Sequence, residues 1–198
     1  MNDPWLFGLR HGESQANAAA AVAWDPARAA LGLGLTPSGR EAVTRSVQAA
    51  ALPGPLLVVS SDLARAAETA QAACVVLAQG PAGAQGVTLR FDPRLRERRF
   101  GVAEGGSNLL YQPAWALDAR DPHQAPWGAE TAAEVGARVL ALVSELRGER
   151  AGGAFAAALL VSHGDPLQIL RAVLLGQSPG AHRQGAHWEP AQVLPLPA

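Results

Sequence analysis

The sequence predicts an α/β protein: a three-layer α/β/α sandwich with a mostly parallel central sheet and helices on both faces. Three observations predict it. Short apolar runs at 5–10, 55–60, 87–91 and 155–162 have the length of strands, and stretches with helical spacing separate them. That alternation requires crossover connections, which produce a parallel sheet covered on both sides. Hydrophobic residues make up 48% of the 198 residues, enough to build the core of one domain spanning 1–198.

Each element has a local reason. WLFGLR at 5–10 reads as a buried strand. Residues 37–51 read as a helix, with Pro37 in its first turn after Thr36. PLLVVS at 55–60 is a β-branched strand preceded by Pro53 and Gly54. Over 61–79, Leu63, Ala67, Ala70, Cys74 and Leu77 recur at helical spacing, and Gly80, Pro81 and Gly83 end the pattern. VTLRF at 87–91 is a further strand. The polar, tryptophan-bearing stretch 92–129 reads as an active-site insertion rather than a domain boundary. Thr131 and Glu134 form a capping box, after which Val135, Val139, Leu142 and Leu146 give a helix its apolar stripe. FAAALLVS at 155–162 is a strand apolar on both faces, and 165–175 is a helix. The Pro-rich tail 187–198 has room for one edge strand at most.

Composition excludes several classes of function. The net charge of −1 and pI near 6.5 argue against a nucleic-acid partner or an anionic membrane surface. All 16 basic residues are arginine, a bias that makes arginine abundance by itself uninformative. Cys74 is the only cysteine, set among apolar helical positions, and reads as a small core residue. MNDPW at the start lacks the positive charge of a secretory signal, and no apolar run approaches the ~20 residues of a membrane helix. The expectation is a soluble cytoplasmic protein.

Sheets of this class gather their sites beyond the carboxyl ends of the strands. Two apolar runs end there in a His-Gly pair, as Arg10-His11-Gly12 and as Ser162-His163-Gly164. Arg65, in the first turn after 55–60, falls at the same edge. Two guanidiniums offer forked donors matched to phosphate oxygens. Gly12 and Gly164 let backbone come close, and the helix starts behind them present free N–H groups to an anion. Flanking positive charge keeps His11 an uncharged imidazole, able to attack phosphorus and form a phosphohistidine. His163 and the arginines would then stabilise the equatorial oxygens.

The leaving oxygen needs a proton. If 94–98 is extended, Arg94, Arg96 and Arg98 face solvent while Leu95 and Glu97 face inward, where a carboxyl gains a raised pKa. Spacing alone leaves Glu97, Glu104 and Glu130 as alternatives.

LRHGES with Asn17, SSDLARAAETA, LRERRFGVAEG, WGAET and VSHG together resemble the motif series of the histidine phosphatase superfamily, the phosphoglycerate mutase-like proteins. The blocks follow the family order across about residues 5 to 175. The resemblance implies that His11 is the phosphorylated nucleophile, that Arg10, Arg65 and His163 complete a phosphate pocket, and that Asn17 adds a hydrogen bond. It matches Glu97 to the family's acid–base glutamate, and implies no metal and no cofactor. Cofactor-dependent mutases of the family are longer and more basic around the site mouth, so this chain is more similar to the phosphatases. The expectation is a metal-independent phosphatase acting on a small phosphorylated metabolite; the alternatives are a phosphoglycerate mutase or a non-catalytic phospholigand-binding protein.

Other residues carry plainer expectations. Arg90, Arg94, Arg96, Arg98 and Arg99 read as a solvated face, and His123, His182 and His187 as isolated surface residues. Glu104 and Glu130 lie in the motif blocks of the resemblance, and their plainer reading is to hold loops through backbone hydrogen bonds. Tyr111, Trp115 and Trp127 either line the pocket or pack the insertion. No H-E-x-x-H or comparable spacing occurs, which argues against a metal site.

Overall fold

The structure is a computed structural model that describes residues 4–25 and 34–197. Most of the MNDPW start, read above for a missing secretory signal, lies outside the described residues. In chain order the elements are β1 (Leu6–Arg10), α1 (Gln15–Ala18), α2 (Pro37–Ala50), β2 (Leu56–Ser60), α3 (Ala64–Ala78), β3 (Val87–Phe91), α4 (Tyr111–Asp118), α5 (Ala132–Ala151), β4 (Ala157–Ser162), α6 (Gly164–Leu174) and β5 (Val193–Pro195). The five strands lie in the order β3-β2-β4-β1-β5. All neighbours run parallel except β5, which pairs antiparallel with β1 at the edge, as the Pro-rich tail predicts.

Strand geometry explains the layers. Alternate side chains of a strand point to opposite faces. Leu57 and Val59 of β2 and Ala158 and Leu160 of β4 enter one core, with Val139, Leu142 and Leu146 of α5 and Leu167 and Leu170 of α6. Their neighbours Leu56, Val58, Ala157, Leu159 and Val161 enter the other, with Val43 and Val47 of α2 and Ala66, Ala70 and Ala73 of α3. The alanines of α3 let that helix lie close to the sheet. Gly8 has a specific reason in β1: a Cβ there would stand 2.7 Å from the ring of Trp188, which is fully buried against this strand. Cys74 is partly buried against the second core, and burial pushes its thiol pKa up, away from reactivity.

Helix ends follow the capping signals. Thr36 accepts from Gly39 N–H ahead of Pro37, and Thr131 and Glu134 form the reciprocal box. The helix read from position 61 begins at Ala64, because Ser61 first turns the chain by accepting the Leu63 N–H at 3.3 Å. Among the described residues, no helix is long and apolar enough to cross a membrane.

The stretch 94–98 departs from the extended alternation expected of it. Pro93–Leu95 is a 3₁₀ turn capped by Asp92, whose carboxylate accepts from Arg94 N–H. The break in period turns Arg98 inward: it is fully buried and grips Asp118 with both terminal nitrogens, at 2.5 and 2.9 Å. Arg98 therefore does not belong to a solvated face. Arg90, Arg94 and Arg96 do lie near the surface, paired with Glu149, Glu145 and Asp62.

Candidate active site

A cavity of about 210 Å³ opens beyond the carboxyl edge of the sheet, lined by Arg10, His11, Asn17, Arg65, Glu97 and Gly164 among others. The ladder sets its centre. Arg10 of β1 pairs in register with Ser162 of β4, so His11 and His163 follow as neighbours on adjacent strands. Their rings are 5.0 Å apart, inclined at 62°. His163 does not line the cavity; it stands fully buried behind His11.

Hydrogen bonds fix the state of His11. Its Nδ1 lies 2.7 Å from the Gly12 carbonyl, which can only accept. Its Nε2 receives Arg65 Nε–H at 3.1 Å. The proton therefore sits on Nδ1, and Nε2 carries a lone pair on the cavity side. Burial first, then the Arg65 and Arg10 charges, hold the His11 pKa well below the ordinary histidine range. His163 is held down in the same way, by burial and then Arg65.

Gly12 makes this geometry possible. A Cβ there would meet the Gly39 carbonyl oxygen at 2.7 Å and Val43 at 2.9 Å. Its N–H donates to Thr69 Oγ1 at 3.1 Å, and that hydroxyl donates to the Arg65 carbonyl at 2.7 Å, tying the loop after β1 to α3. Gly164 is under no such demand, since a Cβ there would touch only Arg10, at an ordinary 3.7 Å.

The arginines are anchored but retain unused donors. Arg10 Nη1 reaches the Trp188 carbonyl at 2.6 Å, and Arg65 Nη2 reaches the Ala23 carbonyl at 2.7 Å. Arg10 Nε, Arg65 Nη1 and His163 Nδ1 are buried with no partner among the described residues. Ser61 faces His163 Nε2 at 2.9 Å while accepting from Leu63 N–H; where its hydroxyl donates to that nitrogen, His163 Nδ1 carries hydrogen. Asn17 accepts from Ser14 N–H and Oγ–H through its oxygen, which leaves its amide N–H groups at the cavity wall.

Of the three candidate glutamates, only Glu97 lines the cavity. Burial, with Asp165 nearby, raises its pKa to about 7 against the pull of Arg65 and Arg10. Glu104 accepts the Trp24 N–H at 2.9 Å, and Glu130 pairs with Arg138 at 2.7 Å, so both hold loops as expected.

The sequence reading missed part of the wall. Asp165, Arg183 and His187 line it alongside Tyr111 and Trp115. Trp115 donates to both oxygens of Asp165, at 3.0 and 3.1 Å. His187 is thus a pocket residue rather than an isolated one. His182 is buried, its Nδ1 against the Pro179 carbonyl at 2.9 Å, and is no surface residue. Only His123 is exposed away from the site, as expected. Trp127 stands partly exposed and does not line the cavity. Among the described residues, no group of three or more His, Cys, Asp or Glu could hold a metal ion.

Comparison with known proteins identifies the family. The family model "Histidine phosphatase superfamily (branch 1)" matches residues 6–196. A glucosyl-3-phosphoglycerate phosphatase of Mycolicibacterium vanbaalenii is 35% identical over 182 residues, covering 86% of this chain and 74% of that protein. A probable phosphoglycerate mutase of Yersinia enterocolitica is 30% identical, covering 90% and 78%. A mycobacterial glucosyl-3-phosphoglycerate phosphatase solved with inorganic phosphate superposes with a TM-score of 0.72 at 26% identity, covering 96% of this chain and 87% of that one. The same mycobacterial enzyme solved with vanadate gives a TM-score of 0.74 at 26% identity, covering 96% and 89%. This chain belongs to the histidine phosphatase superfamily, branch 1, and is an enzyme of its phosphatase kind.

Proposed function

We propose that the chain, acting as one domain over 1–198, hydrolyses a small phosphomonoester through a phosphohistidine on His11, without a metal or a cofactor. The carrying observation is the set of buried, partnerless polar atoms, Arg10 Nε, Arg65 Nη1 and His163 Nδ1, around a histidine held neutral. An unsatisfied buried polar group costs about 1–3 kcal/mol. Three of them with two permanent positive charges favour a tetrahedral dianion. The relative solved with inorganic phosphate supports the same ligand class.

In this reading the phosphoryl group takes Arg10, Arg65 and the Asn17 amide as donors at the cavity wall, with the Gly164 backbone at the start of α6, and His163 reaches it from its buried place beside His11. His11 Nε2 attacks phosphorus as Arg65 Nε turns from the ring to a phosphoryl oxygen. Protonated Glu97 gives its proton to the leaving oxygen, and the P–O ester bond breaks. A water then attacks the phosphohistidine, Glu97 takes its proton, and the P–N bond breaks to release phosphate. A pKa of about 7 suits a group that gives and then takes a proton near neutrality. The arginines stabilise charge spread over the equatorial oxygens in both steps.

The test is turnover of p-nitrophenyl phosphate with and without a chelator. Chelator-insensitive hydrolysis, with acid-labile phosphate labelling lost in His11→Ala, is expected; labelling that survives the substitution overturns the assignment of the nucleophile. The probable mutase among the relatives keeps a second reading open. Interconversion of 2- and 3-phosphoglycerate stimulated by bisphosphoglycerate, exceeding phosphate release, would favour it.

A further inference from the structure

Two carboxyl groups line the cavity, Glu97 and Asp165, and their surroundings differ. Asp165 lies in the first turn of α6, where the free N–H groups of a helix start favour negative charge. Trp115 Nε1–H donates to both of its oxygens, at 3.0 and 3.1 Å, an arrangement that fits an ionised carboxylate. Glu97 takes one hydrogen bond among the described residues, from Arg98 N–H to Oε1 at 2.9 Å. Two carboxyls held so differently in one site divide the roles of proton holder and fixed charge.

Arg98 touches both carboxyls without cancelling the charge of Asp165. Its guanidinium grips Asp118 at 2.5 and 2.9 Å and stands 3.6 Å from Asp165 Oδ2. Asp118 therefore takes up most of that positive charge, and the Asp165 charge is left to act across the cavity. The other ionisable groups facing Glu97 are Arg10 at the end of β1, Arg65 of α3 and Tyr111 of α4, with His11, Arg183 and His187 on the same wall. Arg10 and Arg65 favour the ionised form of Glu97, so a proton stays there near neutrality only against their pull. Burial and the Asp165 charge supply the opposing push.

We infer that Asp165 is a positioning residue for the acid–base step, its fixed negative charge keeping the transferable proton on Glu97 until the leaving oxygen takes it. This rests on the phosphatase reading above and adds a residue to its proton cycle. When water attacks the phosphohistidine, the same charge makes ionised Glu97 the stronger base. Asp165 gives and takes no proton in this cycle.

The test follows kcat/KM against pH for two kinds of ester. One is the better hydrolysed of 3-phosphoglycerate and β-glycerophosphate, alkyl esters whose leaving oxygen needs a proton. The other is p-nitrophenyl phosphate, whose leaving phenolate does not. Asp165→Asn keeps the size of the side chain and one acceptor for Trp115. Removing the charge should move the alkaline limb for the alkyl ester down by about one pH unit. At pH 8 that shift removes about nine-tenths of the protonated Glu97, so the alkyl ester should lose about tenfold in kcat/KM and p-nitrophenyl phosphate much less. Asp165→Glu, which restores the charge, should bring the limb back toward wild type. Trp115→Phe withdraws both hydrogen bonds, so Asp165 competes for the proton and the limb should again move down. It decides the matter if thermal melts show that Asp165→Asn does not fold. An unmoved limb, equal losses on both esters at every pH, or turnover of p-nitrophenyl phosphate alone overturns the inference while leaving the phosphatase reading intact. A wild-type enzyme with no alkaline limb overturns the role of Glu97 and the inference with it, and one that turns over neither ester overturns the phosphatase reading as well.

Discussion

Arg65 donates its Nε–H to His11 Nε2 across 3.1 Å, and both side chains are buried. The arginine therefore does two things in the resting enzyme: it helps keep the imidazole uncharged, and it occupies the lone pair that the chemistry needs. Replacing it should separate these effects. Arg65→Gln removes the larger of the two charges depressing His11, although burial remains the leading cause. The His11 pKa should rise, measured by ring-carbon NMR shifts, and the acid limb of kcat/KM should move up in pH. An unmoved His11 titration would mean that burial alone sets its state.

Glu97→Gln should lower kcat by about 100- to 10,000-fold while inorganic phosphate still inhibits at a similar concentration. Strongly weakened phosphate inhibition would instead make Glu97 structural. In the unsubstituted enzyme kcat/KM should fall as pH rises through about 7, because free Glu97 then loses the proton it must donate. That limb should vanish in the glutamine variant.

The same shift has a signed effect on stability. The Glu97 pKa is raised in the folded protein, so its contribution is fully present below the ordinary glutamate value of 4.5 and is lost as pH rises through about 7. His11 and His163 act in the opposite sense. Their folded pKa values are depressed, so stability is lost as pH falls below 6.5 toward those values. Glu97→Gln should therefore raise Tm more at pH 8 than at pH 5, a comparison made by thermal denaturation.

Asp118→Ala should be among the more damaging changes remote from His11. It leaves Arg98, 0% exposed, with only Asp165 at 3.6 Å to balance its charge. Breaking a buried pair costs about 3–5 kcal/mol. Denaturant unfolding measures this directly, and a cost below about 1 kcal/mol would mean that water reaches the pair.

Gly12→Ala tests the loop that follows His11. Its Cβ would press on main-chain oxygen of Gly39, which cannot swing aside as a side-chain tip can. Overpacking of this kind costs about 1–3 kcal/mol. The variant should lose both stability and turnover, whereas Gly164→Ala, facing Arg10 at ordinary contact, should keep its stability.

Much of this was legible in the chain because it is local. Strand-length apolar runs, the Thr36 and Thr131 caps and the two His-Gly pairs carry their structural meaning within a few residues. Glu97 reaches the cavity wall by a different route from the one expected: the extended alternation over 94–98 gives way to a 3₁₀ turn, and Asp92 followed by Pro93, a cap before a proline, is the available signal. The rest was out of reach because it depends on separation in the chain. Arg98 finds Asp118 twenty positions on, and Arg10 finds His187 at a separation of 177. Neither pairing leaves a periodic trace. His182 did have a local cue, since Ser178-Pro179-Gly180 forms the tight turn whose carbonyl receives its ring.

The spacing of His11 and His163 is a property of main-chain pairing, because they directly follow Arg10 and Ser162, the last paired residues of β1 and β4. Rungs at the middle of a sheet open only when the whole molecule comes apart, whereas short turns and small helices open at much lower cost. Heat inactivation of the two-ring centre should therefore coincide with global melting rather than precede it.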